Sequence, residues 1–104
     1  MHEGTREETF AHLAAEFINR ESNRESLITV TRVMSSTDSK RADVYITVLP
    51  DTRVPEALDF LKRKRSEFRE FVKTHTRGRS VPTFDFVFDV GEKNRQEIEA
   101  LSQH

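Results

Sequence analysis

Two stretches of the chain alternate apolar and polar side chains with a period of two, and a long helix-patterned segment separates them. Val44, Ile46 and Val48 share one side of 42–48, and Phe84, Phe86 and Phe88 share one side of 81–90. That period belongs to a strand with one buried face. Phe84, Phe86 and Phe88 could instead form an outward stacking platform for bases, but this would turn Asp85 into the core without a partner, so the phenylalanines are expected to be core. By the same phase Asp43 and Asp85 decorate the open face of the sheet and should repel RNA. A helical connection between two such strands predicts a crossover, which makes the sheet mixed rather than a plain meander.

The remaining segments follow from local pattern. Thr5-Arg6-Glu7-Glu8 has capping-box spacing, and Phe10, Leu13, Ala14, Phe17 and Ile18 follow it on one helical face. Polar residues from Asn19 to Ser26 read as a loop, and the β-branched run Leu27 to Val33 reads as a strand. The polar 35–40 segment returns the chain as an antiparallel hairpin into 42–48. Pro50-Asp51-Thr52 ends that strand and offers Asp51 or Thr52 as the N-cap of a second helix, with Val54, Ala57, Leu58 and Leu61 inward. Continued straight, this helix would rotate Lys64 and Arg65 into the core sector. A break is therefore expected within Lys62 to Ser66, with Ser66 capping a new helix whose apolar face is Phe68, Phe71 and Val72. Gly78 should end the helical region, Pro82 sits near the start of the third strand, and 91–101 reads as a short final helix with Ile98 and Leu101 as its apolar contacts.

With 104 residues, 35% hydrophobic and 34% charged, the chain supports a thin core under one sheet face. The expectation is α+β: one two-layer domain over 1–104, ordered α-β-β-α-(kink)-α-β, with a three-stranded mixed sheet and helices on one face. Cysteine is absent, which excludes disulfides and thiolate chemistry and predicts a cytoplasmic protein. No apolar run is long enough to span a membrane, and the N-terminus resembles no signal segment. His2, His12, His75 and His104 lack metal-ligand spacing, and Gly4, Gly78 and Gly91 are isolated rather than part of a phosphate-cradling loop. No catalytic, cofactor, metal or small-molecule site is expected.

Charge is concentrated in one place. Between Lys62 and Arg79 stand eight Lys or Arg against Glu67 and Glu70, a local +6 in a chain of net −1, so the remainder carries −7. A basic segment on an acidic body can meet a polyanion without making the whole surface adhesive. The candidate RNA-binding residues are Lys62, Arg63, Lys64, Arg65, Ser66, Arg69, Lys73, Arg77 and Arg79. The cations would release counterions from phosphates, and Ser66 would place helix N-terminal amides near one. Arg77 and Arg79 are preferred as residues that can fork onto phosphates or stack on bases.

The element order is similar to that of a type II KH domain, and the text of the chain resembles the ribosome-binding factor A family along nearly its whole length. The resemblance rests on Leu27 to Val33, on Ser36 and Asp38 leading to Ala42 through Leu49, and on Arg77-Gly78-Arg79-Ser80-Val81-Pro82-Thr83-Phe84-Asp85-Phe86-Val87-Phe88-Asp89. It implies a non-enzymatic, monomeric factor that binds 16S rRNA of the immature 30S subunit and assists late maturation, including 5′-end processing performed by others. Family members carry a kinked Ala-x-Gly between the two helices, where this chain has Lys64-Arg65-Ser66. The loop from Ser22 to Ser26 is also shorter than the family's usual turn. Two other readings stay open: a protein-interaction domain for a basic ribosomal protein, and a general KH-like RNA binder.

Overall fold

The structure, a computed structural model, describes residues 5–22, 25–77 and 80–102. The first helix, α1 (Arg6–Glu21), starts at the expected capping box. The Glu8 amide donates to Thr5 Oγ1 at 3.1 Å, and the Thr5 amide donates to Glu8 Oε2 at 3.3 Å. Such a cap is worth about 1 kcal/mol. Strands β1 (Leu27–Ser35) and β2 (Arg41–Leu49) form the antiparallel hairpin. Its turn is held by Asp38, which accepts from the Ser36 hydroxyl at 2.7 Å and from the Lys40 amide at 3.0 Å. Ser39 takes the left-handed conformation there, with φ 61°. Helices α2 (Val54–Arg63) and α3 (Arg65–His75) follow, then β3 (Thr83–Phe88) and α4 (Val90–Ser102).

The sheet order is β1-β2-β3, with β3 parallel to β2 in a register that pairs Val44 with Phe86 and Asp43 with Asp85. This is the mixed sheet that the crossover demands. Residues from α1, α2, α3 and one sheet face build one core, with Phe68, Leu61, Val44, Ile46 and Phe86 fully buried. Phenylalanine rings tie its layers together. Phe68 of α3 lies 4.7 Å from Phe84 and 5.6 Å from Phe86 between ring centroids, and Phe84 meets Phe10 of α1 edge-on at 5.1 Å. Packing of this kind adds about 0.5–1.5 kcal/mol per pair beyond area burial. Phe84 and Phe86 are thus core, as the phase argument requires, while Phe88 is half-buried at the end of the strand.

Several local expectations are corrected. Neither Asp51 nor Thr52 caps α2: a 3₁₀ turn, Asp51–Arg53, intervenes, and the cap residue is Arg53, with no side-chain bond. Asp51 is instead paired with Lys93 of α4. Ser66 does not cap α3, because the helix restarts one residue after the break and places Ser66 inside its first turn. Strand β3 begins at Thr83, leaving Val81 and Pro82 as a buried lead-in. The final helix is not held by Ile98, which is 66% exposed. Polar anchors hold it, as described below. Gly78, Arg79, His2, His104 and the side chain of Leu101 lie outside the described residues.

Asp89, between β3 and α4, is 4% exposed and collects partners from β1 and α4. Thr31 donates its hydroxyl to Oδ2 at 2.6 Å, Arg32 Nε lies 3.5 Å from the same oxygen, and the Glu92 amide donates to Oδ1 at 2.9 Å. Its backbone carbonyl also accepts from the Lys93 amide at 3.1 Å. The register shift between Val30 and Arg32 brings Thr31 to this position: the bulge departs from strict alternation and gives β1 a side chain for Asp89. Burial acts to raise the Asp89 pKa, but the Thr31 hydroxyl, the Glu92 amide and the Arg32 charge outweigh it and hold the carboxyl below its ordinary value.

Candidate nucleic-acid interface

The break between α2 and α3 falls on Lys64, inside the expected window. Its backbone sits at φ −98°, ψ 5°, outside the helical well. The Lys64 amide closes α2 by donating to the Leu61 carbonyl at 3.0 Å, and the Phe68 amide opens α3 by donating to the Lys64 carbonyl at 2.9 Å. The bend keeps Leu61 and Phe68 fully buried while Arg63 and Arg65 remain exposed and Lys64 is partly so. This is the conflict read from the sequence, resolved by a single non-helical residue. The amides of Arg65, Ser66 and Glu67 begin α3 beside these cations, an arrangement suited to an anion.

The charges at this corner are not unopposed, contrary to the sequence reading. The fold brings carboxylates from elsewhere. Lys62 Nζ lies 2.8 Å from Asp85 Oδ1 and Arg65 Nη1 lies 3.2 Å from the same atom, so two cations reach one acid of β3. Arg63 pairs with Asp59 at 3.2 Å, one helical turn back. Lys64 Nζ lies 3.3 Å from Glu67 and 3.7 Å from Glu21, and 5.7 Å from the centre of the Phe60 ring. Lys73 pairs with Glu70 at 3.5 Å. Side chains in these pairs keep from 28% to 71% of their surface exposed. Such pairs contribute about 0–1 kcal/mol each, so an array of phosphates can replace the carboxylates as partners.

Asp85 differs from the acidic decoration expected of it. Partial burial acts to raise its pKa, but the hydrogen bond from Lys62, the Phe86 amide and the charges of Lys62 and Arg65 prevail, and the carboxyl is held below its ordinary value. With two cations on one oxygen, Asp85 cannot act as a simple repulsive charge. The open sheet face also carries Arg32, whose guanidinium lies 4.4 Å from the centre of the Tyr45 ring. That face is mixed in charge, and the expectation of uniform repulsion is corrected.

Arg69 is committed to the fold. Its Nε donates to the Pro82 carbonyl at 3.1 Å and its Nη2 to the Val81 carbonyl at 2.9 Å, fastening the lead-in of β3 to α3. Lys62, Arg65 and Arg69 thus all serve β3, an edge strand. Cations along such an edge also discourage pairing with another chain. Arg77 stands apart at the end of α3, exposed, in the left-handed conformation with φ 58°, and without an ion pair among the described residues. The structure therefore groups Lys62, Arg63, Lys64, Arg65 and Ser66 at the corner, with Lys73 further along α3. It gives Arg69 a structural task and separates Arg77. Arg79 is outside the described residues.

Sequence reasoning passed over Arg6. It donates to the Ser80 carbonyl and lies 5.1 Å from the centre of the Phe10 ring. A cation in the first turn of a helix opposes the helix dipole, and that mismatch was the available signal.

An α+β fold whose two middle helices meet at a basic corner, beside a β3 strand parallel to β2, defines a KH type II-like class of protein. A family model described as ribosome-binding factor A matches residues 4–102, and the chain belongs to that family. A ribosome-binding factor A from Fervidobacterium nodosum is 36% identical over 67 residues, which cover 64% of this chain and 54% of that relative. The match thus spans about half the relative's length. The crystal structure of ribosome-binding factor A from Thermus thermophilus superposes with a TM-score of 0.69 at 24% identity, covering 78% of this chain and 89% of that one. A Thermus thermophilus ribosome-binding factor A homology model, fitted into a cryo-EM map of a 30S complex, gives a TM-score of 0.67 at 23% identity, covering 77% and 87%. At those identities the likeness to the two structures is one of fold.

Proposed function

We propose that the chain is a small-subunit assembly factor that docks its basic corner on 16S rRNA of the immature 30S subunit. There it holds a local RNA conformation while other proteins carry out late maturation, 5′-end processing included. It acts as a single KH-like domain and a monomer in the cytoplasm, without catalysis, cofactor or small-molecule substrate. The observation that carries this reading is the break at Lys64, which puts Arg63, Lys64 and Arg65 at one outer corner beside the first amides of α3. Family membership supports it, as does the relative fitted into a 30S complex. Within the candidate set, Arg63, Lys64, Arg65 and Lys73 are the phosphate contacts, with Lys62 drawn in from Asp85. Ser66 contributes its amide, Arg69 holds β3 in place, and Arg77 and Arg79 extend the contact beyond α3.

The test is co-sedimentation with immature small subunits, comparing the wild-type chain with a triple variant, Arg63→Gln, Lys64→Gln and Lys73→Gln. Loss of co-sedimentation in the variant, with its fold intact by circular dichroism, is expected. Equal binding by both would reject the corner as the interface. A second arm treats the wild-type complex with nuclease. Retention of the chain on a basic ribosomal protein after RNA removal would replace the RNA reading with a protein-contact one.

A further inference from the structure

The corner's cations are matched by carboxylates, but among the described residues a second group of basic residues is not. Where the first turn of α1 meets the last turn of α3 and the segment before β3, an open cavity of about 480 Å³ is lined by Arg6, Thr9, His75, Thr76, Arg77 and Ser80. That volume is in the range of pockets that seat small ligands. Phe10 and Val81 also line it, and both are buried. Among the described residues, no carboxylate lines the cavity. By contrast, every basic side chain from Lys62 to Arg65 lies within 4.0 Å of one.

The donors differ in how far they are committed. The hydroxyls of Thr9 and Thr76 bond backbone carbonyls at the ends of their own helices. Arg6 donates one Nη2 bond to the Ser80 carbonyl, which fixes the guanidinium at the rim and leaves its other N–H groups unassigned. His75 Nδ1 lies 2.8 Å from the Phe71 carbonyl, an oxygen that can only accept, so Nδ1 carries the proton and Nε2 is left over. Arg77 makes no ion pair or hydrogen bond among the described residues. Its φ of 58° is the left-handed conformation with which helices commonly end, at the residue after the α3 C-cap Thr76, and it turns Arg77 away from the helix axis direction.

We propose that this cavity seats a phosphate group of an RNA strand, held by the forked donors of Arg6 and Arg77, as a second anchor separate from the helix corner. Guanidinium pairs match phosphate oxygens in geometry as well as charge, and an apolar floor strengthens the attraction. The proposal rests on the reading of the chain as an RNA-binding protein and adds a site to it. The phosphate is either a monoester at a strand end or a diester within the strand.

The test titrates the full chain with a short single-stranded oligoribonucleotide from the small-subunit rRNA, bearing either a 5′-phosphate or a 5′-hydroxyl, and follows the His75 ring resonances by NMR. Three chains are compared: wild type, Arg77→Asn and Arg53→Gln. Asparagine tolerates the left-handed conformation, so Arg77→Asn removes the cation without straining the turn. Arg53→Gln removes one charge at the start of α2 and controls for net charge. The expected results are a shift of His75 signals on binding and a loss of affinity of about tenfold or more in Arg77→Asn, well beyond that in Arg53→Gln. Preference for the 5′-phosphate identifies the monoester, and equal binding identifies the diester. Unmoved His75 signals at saturation, with Arg77→Asn binding as wild type, would overturn the cavity site while leaving RNA binding at the corner standing. Failure of the wild-type chain to bind RNA at all would bring down both.

Discussion

Arg69 shows how one side chain of a basic run can also be tied to the fold. Its place in a basic run suggested RNA contact, yet its guanidinium spans the carbonyls of Val81 and Pro82, which β3 cannot satisfy because its ladder begins at Thr83. Arg69 is partly buried, so removing it would leave two acceptors without their donor. Hydrogen bonds to a charged donor contribute about 1.5–3 kcal/mol each at most, and solvent can recover part of that here. Arg69→Ala should therefore lower stability by about 2 kcal/mol in urea titration, and Arg69→Lys should recover less than half of it, because an ammonium cannot fork onto both carbonyls. A variant as stable as wild type would return Arg69 to the surface set. The carbonyl partners were not legible beforehand, since nothing in the local text of α3 says which backbone groups of 81–82 will lack partners.

Helix α4 illustrates an element attached through a few polar side chains. Val90 and Ile98 are 58% and 66% exposed, so among the described residues apolar burial gives α4 little hold, and its attachment runs through Asp89 and the Lys93–Asp51 pair. The Asp89 carboxyl is held below its ordinary value, so the stability it supplies is complete above the unfolded-state value near 3.9 and is lost as pH falls through the lower folded value. Asp85 acts in the same direction. Acid should therefore release α4 and the β1 bulge before the central core opens. Hydrogen exchange followed from pH 6 down to 3 should show protection falling first in 90–95 and around Thr31. Asp89→Asn should lower protection there at pH 6 and flatten its dependence on pH below 4. Uniform loss across the sheet would refute this attachment. The sequence made α1, the hairpin and the break legible because periodicity reports burial directly. It left the α4 anchor hidden, since a strand bulge that aims Thr31 at an aspartate fifty-eight positions away has no local signature.

At the scale of the whole molecule, the sequence showed where cations accumulate but not that they would find carboxylates of the same chain, because Glu21 and Asp85 come from α1 and β3. On the proposed reading, RNA that docks at this corner exchanges internal pairs for phosphate contacts, and the depth of that exchange sets the affinity there. Asp85 is the strongest internal competitor at the corner, since Lys62 and Arg65 both approach its Oδ1. If phosphates take over these cations in the complex, Asp85→Asn should tighten RNA binding at low salt by releasing Lys62 and Arg65 beforehand. Phosphates meet the same two cations in both complexes, so the slope of log affinity against log salt should stay close to that of the wild type while affinity rises. The same substitution should cost little stability at neutral pH, because both pairs are substantially exposed and the side-chain oxygen of the introduced asparagine can still accept from the Phe86 amide. Anisotropy titrations between 50 and 300 mM salt read affinity and slope together, with urea titration as the check on folding. Weaker binding by a stably folded Asp85→Asn would mean that the aspartate orients Lys62 and Arg65 for RNA instead of competing with it, and the corner would then be a preorganised site.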